Sequence, residues 1–518
     1  MQHSDKILVL DFGSQYTQLI ARRIREMQVL TEIVPGNFSF EKISAAQPKG
    51  IILSGGPGSA KGFENYQNVK SLFTMPVPIL GICFGMQLMN TLHGGSVQSS
   101  EQREYGKQKI SVSGQSPLFQ ALNAEQEVWM SHGDHVETLA PEFISLAKSQ
   151  KGIVAAFEHK TKPHYGVLFH PEVTHTENGE QLLRNFIQLC QCEQSWNVQN
   201  QIELIQQKIQ NQVKDKKVIS LVSGGVDSTV ATVLCCKALG PDKVIPLYID
   251  TGLMRERETE NVKKLLEEFG LKHLIIANAR ESFLEALKGV SDSEKKRKII
   301  GEHFITVLEK EIGQQNAKDM FLCQGTLYTD LIESGLGCGT SAHVIKSHHN
   351  VNPPIIEAKR RQGLIVEPND TMFKDEVRQV GEALGIPHPM LWRHPFPGPG
   401  LAIRIIGEVT EERLAALRKA DRIFLEEIEK AGLYDQIWQA FAVLVPVSTV
   451  GVMGDQRTTG HVIALRAVNS VDGMTADFYP FPYEVLGRVA TRIVNEVSTV
   501  NRVVYDVTSK PPGTIEWE

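Results

Sequence analysis

Short apolar runs alternate along the chain with longer stretches in which apolar residues recur every three or four positions. Runs 7–10, 50–53 and 77–82 have strand length, and each leads into a glycine turn or a helix start. Unbroken apolar strands belong to sheets covered on both faces. Runs 128–130, 153–157 and 166–169 continue the series, and a polar helix at 179–191 closes it. Residues 194–217 are rich in Gln, Asn and Lys, with Val198, Ile202, Ile205 and Ile209 at helical spacing. A second alternating series follows, with strands at 217–222, 244–249, 273–277 and 320–324 between long charged helices. Periodicity fades over 335–363, and proline-rich sequence at 393–400 ends the α/β pattern. The remainder reads as a helix at 410–431, strands at 441–453 and 462–468, a helix at 483–497 and a strand at 502–506. The expected architecture is therefore two doubly wound α/β domains, 1–195 and 196–393, then a smaller α+β domain, 394–518.

Composition narrows the class without changing this picture. The 518 residues are 42% hydrophobic and 22% charged, ordinary values for a globular protein. A net charge of −6 gives no reason to expect nucleic acid or a membrane surface as partner. Seven scattered cysteines without a C-x-x-C pair indicate neither a zinc knuckle nor a disulfide framework, which fits a reducing cytoplasm. The first residues enter a strand at once, with no signal-peptide pattern, and no apolar run reaches membrane length.

The candidate chemistry lies at strand ends. Leu80-Gly81-Ile82-Cys83-Phe84-Gly85-Met86-Gln87 sets a cysteine between a buried strand and a helix. Flanking glycines permit the sharp turn of a nucleophile elbow, and a helix N-terminus supplies N–H groups that favour thiolate and oxyanion. Without those glycines, Cys83 would read as a core thiol. His170-Pro171-Glu172 follows another strand, and residues two apart in extended chain face the same way, so Glu172 can orient His170 as base for Cys83. The Ser54–Ser59 glycine turn could aim an N–H at an oxyanion, and Ser131-His132-Gly133-Asp134 offers polar groups for a small zwitterion.

These motifs resemble class I glutamine amidotransferases. The resemblance implies glutamine as substrate, a thioester on Cys83, oxyanion contacts from the backbones of Gly56 and Phe84, and glutamine recognition by Gln87 and the Ser131, His132 and Asp134 segment.

Ser223-Gly224-Gly225-Val226-Asp227-Ser228 follows a second sharp strand and opens a helix, a cradle of N–H and hydroxyl groups for phosphate. It lacks the Gly-Lys-Ser/Thr ending of a Walker loop, so β–γ cleavage is not implied. It resembles the loop of N-type ATP pyrophosphatases, which implies α–β cleavage of ATP. Asp250, at the next strand end, and Asp227 are candidate holders of Mg²⁺. Arg255 is either a nucleotide contact or a solvated charge.

The segments Gln324–Leu327, Asp330–Ser334, His348–Asn350, Lys374–Arg378, Arg393–Arg404 and Ser509–Glu518 resemble the glutamine-hydrolysing GMP synthases, over essentially the whole chain. That resemblance implies attack of XMP O2 on the ATP α-phosphorus, then displacement of AMP at C2 by ammonia. It implies Mg²⁺ with ATP as co-substrate, no tightly bound organic cofactor, and a homodimer in which strands such as 441–445 find a partner. Arg404, Arg457 and Lys510 are the cations available for the XMP phosphate. The resemblance adds Ile515, Glu516 and the region of Asp455 to the XMP contacts. The sequence departs from it at Asn352–Ile356 and at Thr459-Gly460-His461. Two alternatives stand beside it: another ATP-dependent glutamine amidotransferase, or a nucleotide-binding regulator with inert sites.

Overall fold

The structure is a computed structural model, and it describes residues 5–58, 67–314, 319–327, 330, 354–453, 456–470 and 475–518. The first 201 residues form one compact unit, and Ile202–Thr326 with Asn352–Glu518 form another.

In the first unit the described strands are β1 (Lys6–Asp11), β2 (Leu30–Pro35), β3 (Gly50–Leu53), β4 (Ile79–Ile82), β5 (Ser96–Val112), β6 (Glu125–Thr138), β7 (Phe143–Ser149), β8 (Val154–His159) and β9 (His164–Val167). They make one sheet in the order β2-β1-β3-β4-β9-β8-β7-β5-β6. The stretch from β2 to β9 is parallel, and the remaining pairs are antiparallel. The parallel strands β1, β3, β4 and β9 are buried nearly throughout, as the apolar runs of β1, β3 and β4 require. The antiparallel extension was only partly visible in the sequence, where β5 and β7 leave no strand signal. Because β3, β4 and β9 are adjacent and parallel, the loops that follow them emerge together at one sheet edge.

The helix Val198–Val213 leads into the second unit and buries Ile202, Ile205 and Ile209, as its spacing predicts. Strands β10 (Val218–Leu221), β11 (Val244–Asp250), β12 (Ile275–Asn278), β13 (Phe321–Cys323) and β14 (Ile365–Val366) form a fully parallel sheet ordered β12-β11-β10-β13-β14. The order reverses between β10 and β13, and in open α/β sheets ligands bind beyond the strand ends at such a switch. The loop Ser223–Ser228 leaves β10 there.

Strands β15 (Gln439–Met453), β16 (Gln456–Asn469), β17 (Asp477–Phe478) and β18 (Val500–Tyr505) make a small mixed sheet. The helix Glu411–Lys430 packs on it. Thr410 caps that helix by accepting from the Arg413 N–H at 3.3 Å, and Leu414, Leu417, Phe424 and Ile428 form its buried stripe. One apolar core runs from Ile219 and Leu322 to Leu417, Phe424 and Val489.

The expectation that residues 441–445 await a partner is not met. Ala442 and Leu444 face that core, while Phe441 and Val443 pack with Ile515 on the opposite face. The exposed apolar residues lie farther along the hairpin, at Val447, Val450 and Val452.

Candidate active sites

The helix Phe84–Leu92 starts directly after β4, and Cys83 at its N-cap takes φ +52° and ψ −107°. A side chain in this region is strained and persists only where its surroundings fix it. The Cys83 N–H donates to Val167 O at 2.8 Å, and the Gly85 N–H donates to Ser54 O at 3.0 Å. Any side chain at residue 85 would meet the Leu53 carbonyl, its Cβ 2.2 Å from the oxygen, so only glycine lets the helix approach β3 this closely. The elbow is thus clamped between the ends of β3 and β9.

The same clamp brings the base to the thiol. His170 lies beside Cys83 and hydrogen-bonds Glu172, its Nδ1 2.7 Å from Glu172 Oε1. Both side chains of the pair are buried, and Thr176 Oγ1 donates to the His170 carbonyl at 2.6 Å. Burial opposes a charged imidazole, but the Glu172 charge, its hydrogen bond to the ring and the neighbouring Cys83 outweigh it, and the His170 pKa stands well above its ordinary value. Tyr16 meets the ring edge-on at 4.8 Å, a contact with no motif to announce it.

The expected glutamine contacts divide. Ser131 O lies 3.8 Å from Cys83 Sγ, and Gln87 Nε2 donates to Asp134 O at 2.8 Å, so Gln87 fixes the strand beside the thiol. His132 instead shares the buried face of β6 with Val128 and Met130, and its Nε2 lies 3.3 Å from the buried Glu104. Gly56 approaches Phe12 so closely that a Cβ would sit 2.7 Å from its carbonyl oxygen, and Phe84 is buried at the helix start.

Among the described residues, one cluster in this unit has ligand-type side chains. His93 Nε2 and His159 Nε2 lie 3.8 and 3.7 Å from Glu142 Oε2. The His159 Nδ1 accepts from the backbone N–H groups of Thr161 and Lys162, both at 3.1 Å, so in the neutral ring Nε2 carries the proton. His93 Nδ1 faces Met89 O at 2.9 Å and must donate to it, which leaves its Nε2 as an acceptor. With Nε2 of His159 carrying a proton, only one ring offers a lone pair beside the carboxylate, which does not suit a metal.

In the second unit, the Ser223–Ser228 turn is internally braced. The Ser223 N–H donates to Ser228 Oγ at 3.2 Å, and the Gly225 N–H donates to Ser223 Oγ at 3.3 Å. Gly224 takes φ +79°, and Gly225 caps the helix Val226–Leu239. Three residues outside the loop hold it. Asn369, fully buried, donates through Nδ2 to Asp227 O at 2.8 Å. Arg393 donates to Gly224 O and pairs with Glu258. Gly325 passes so close that a Cβ would lie 2.7 Å from the Ser228 N. Asn369 was missed from sequence; its only signal is the Pro-Asn-Asp turn after a short apolar run.

Asp227 projects from the first turn of this helix, with Lys374 Nζ 3.6 Å from its Oδ2. A partly exposed carboxylate on the loop expected to hold phosphate fits a hard cation such as Mg²⁺. Asp250 fits less well. Its Oδ1 accepts from the Gly252 N–H at 3.0 Å and its Oδ2 from Arg280 Nε at 3.0 Å. Burial acts to raise its pKa, but Arg280 and the Gly252 N–H outweigh it and lower the value.

The expected XMP residues are also placed. Arg404 is fully buried and donates to Glu516 twice, Nε to Oε2 at 3.0 Å and Nη2 to Oε1 at 2.8 Å. Its guanidinium lies 4.1 Å from the Phe441 ring centre. It therefore serves as a holder of Glu516, not as an open phosphate contact. Arg255 likewise pairs with Asp421 at 2.8 Å. Lys510 bridges to Ala476, and Ile515 packs against Phe441 and Val443. Arg457 is exposed near the start of β16, nine residues before the Arg466 whose Nε reaches Ile515 O, so it stands roughly 30 Å from the tail. Asp455 and most of 335–363 lie outside the described residues; within that span, Pro354–Arg361 is a helix.

With the geometry in place, three family models match in sequence order: glutamine amidotransferase class-I over residues 8–190, NAD synthase over 197–300, and the GMP synthase C terminal domain over 426–517. Proteins named GMP synthase [glutamine-hydrolyzing] from Bacillus cytotoxicus, Bacillus thuringiensis subsp. konkukian and Bacillus anthracis are each 50% identical over 520 residues, covering 100% of this chain and 99% of the relative. Likeness of that depth along the full length leaves no part of the chain unaccounted for, and the chain belongs to the glutamine-hydrolysing GMP synthase family.

Proposed function

We propose that the protein makes GMP from XMP, ATP and ammonia drawn from glutamine. The observation that carries the reading is Cys83 on a strained elbow beside the hydrogen-bonded His170–Glu172 pair, in a chain that also bears a braced glycine loop. Cys83 attacks the glutamine amide, and backbone N–H groups of Gly56 and Phe84 take up the oxyanion. His170 hands its proton to the departing ammonia, leaving a thioester that water hydrolyses to glutamate. At the second site the Ser223–Ser228 loop holds the pyrophosphate end of ATP, with Asp227 toward Mg²⁺. When bound, Mg²⁺ offsets phosphate charge. XMP O2 attacks the α-phosphorus, pyrophosphate leaves, and ammonia then displaces AMP at C2.

The same reading assigns 1–195 to glutamine hydrolysis, 196–393 to ATP and 394–518 to XMP binding and dimerisation, in a cytoplasmic enzyme. Lys510, Ile515 and Glu516 meet XMP, with Arg404 acting through Glu516. Arg457 is too far along β16 to join them within one chain, which favours a homodimer in which it serves the other copy. Among the described residues no helix is long and apolar enough to cross a membrane.

The match of residues 197–300 to NAD synthase favours a second reading, an amidotransferase that adenylates a different acceptor. The deciding experiment mixes the protein with ATP, Mg²⁺ and either glutamine or ammonia, with and without XMP. GMP and AMP formed in equal amounts, only with XMP, are expected; AMP release indifferent to XMP would reject the proposal.

A further inference from the structure

Glu516 is positioned by more than Arg404. Two residues on, Glu518 turns its carboxylate to Lys296, and its Oε1 lies 3.3 Å from the Gly407 N–H that donates to it. Lys296 belongs to the helix Ser293–Gln314, in the part of the chain that matches NAD synthase, and exposes none of its surface. Its other donors go to the carbonyls of Ala402, at 3.2 Å, and Ile405, at 2.6 Å, which flank Arg404. All three ammonium donors are thus used. One holds the segment that carries Glu516, and two hold the backbone on either side of the arginine that grips Glu516.

An apolar side chain could fill this position without the penalty of burying an ammonium, and buried ion pairs are weak contributors to stability. What the lysine adds is geometry. It joins a helix of the ATP-binding part to both partners of the Arg404–Glu516 pair. We infer that Lys296 is a positioning residue for the acceptor nucleotide, fixing the Ile515–Glu518 segment so that Glu516 is ordered before XMP arrives. Without it, Glu518 loses its cation, two buried carbonyls lose their donor, and XMP binding must supply the ordering of the segment. The inference rests on the proposed contact of Glu516 with XMP.

The test compares Glu516→Gln, Lys296→Met and Glu518→Gln in the ammonia-driven reaction of the full chain. Each is expected to raise the KM for XMP about tenfold, equivalent to about 1.4 kcal/mol of binding. The KM for ATP and kcat should stay within about twofold of the parent. A raised KM in Glu516→Gln alone, with the other two variants at the parent value, would overturn the inference and leave the Glu516 contact standing. An unchanged KM in Glu516→Gln would overturn the contact itself. Parallel losses in kcat and in the KM for ATP would make Lys296 a general structural residue and also overturn the inference. If Lys296→Met does not yield folded protein, Glu518→Gln, which keeps shape and removes charge, decides.

Discussion

Glu172 holds His170 at 2.7 Å, Oε1 to Nδ1, in surroundings where both side chains are buried. The carboxylate fixes the ring and keeps its proton. In Glu172→Gln the burial remains while the charge that opposed it is gone, so the His170 pKa must fall. Glutaminase activity should drop roughly 10²–10⁴-fold, the range seen when the orienting acid of a triad is neutralised. A nuclear magnetic resonance titration of the ring should show it losing its proton at lower pH than in the parent. A variant that keeps more than half the activity would remove Glu172 from the mechanism.

Cys83→Ala separates the two chemistries. Glutamine-dependent GMP formation should fall on the order of a thousandfold or more, because no second nucleophile can form the thioester. Formation driven by free ammonia should continue. Measuring GMP with each nitrogen donor checks this directly, and loss with both donors in a folded variant would contradict separate sites.

The loop proposed to hold ATP is braced by a residue outside its motif. Asn369→Ala removes the side-chain donor to Asp227 O and empties a buried polar site, a change of about 1–2 kcal/mol. If that energy is used to hold the loop in its ATP-binding form, the KM for ATP should rise about 5–30-fold. The KM for glutamine should not move. Pyrophosphate release at varied ATP is the measurement, and an unchanged KM would show that the loop is held without Asn369.

What the sequence revealed follows from how each contact is encoded. Apolar runs such as Ile7–Leu10 and Ile51–Leu53 appear as strands because both faces are buried and every residue is apolar. Strand β5, with Gln, Ser, Glu and Lys along Ser96–Val112, carries no such run; it is fixed by its ladder with β6. The Cys83 elbow was legible because a strained turn demands glycine nearby. The burial of His132 was readable from its parity with Val128 and Met130, which opposes the role at the substrate expected for it. The fate of Arg404 was not: its charge is answered by Glu516, 112 residues away, and no local pattern records such a pairing.

The pair of histidines beside Glu142 has a third beneath it. His164 is fully buried, and its ring packs against those of Phe73, His93 and His159. Burial, and then the nearby charges of His159, His93 and Lys162, drive its pKa from 6.5 down to about 3. In the unfolded chain this ring takes up a proton near its ordinary pKa, whereas in the folded chain it stays neutral until about pH 3. Between those values the unfolded state binds more protons, so stability must fall as pH is lowered through the window. One proton contributes at most about 1.4 kcal/mol per pH unit. Above pH 6.5 both states are neutral and the contribution is flat. His164→Leu removes the titrating group while keeping an apolar side chain among the rings. Denaturant midpoints measured from pH 7 to pH 4.5 should fall more steeply for the parent than for the variant; parallel curves would mean that His164 is protonated in the folded protein.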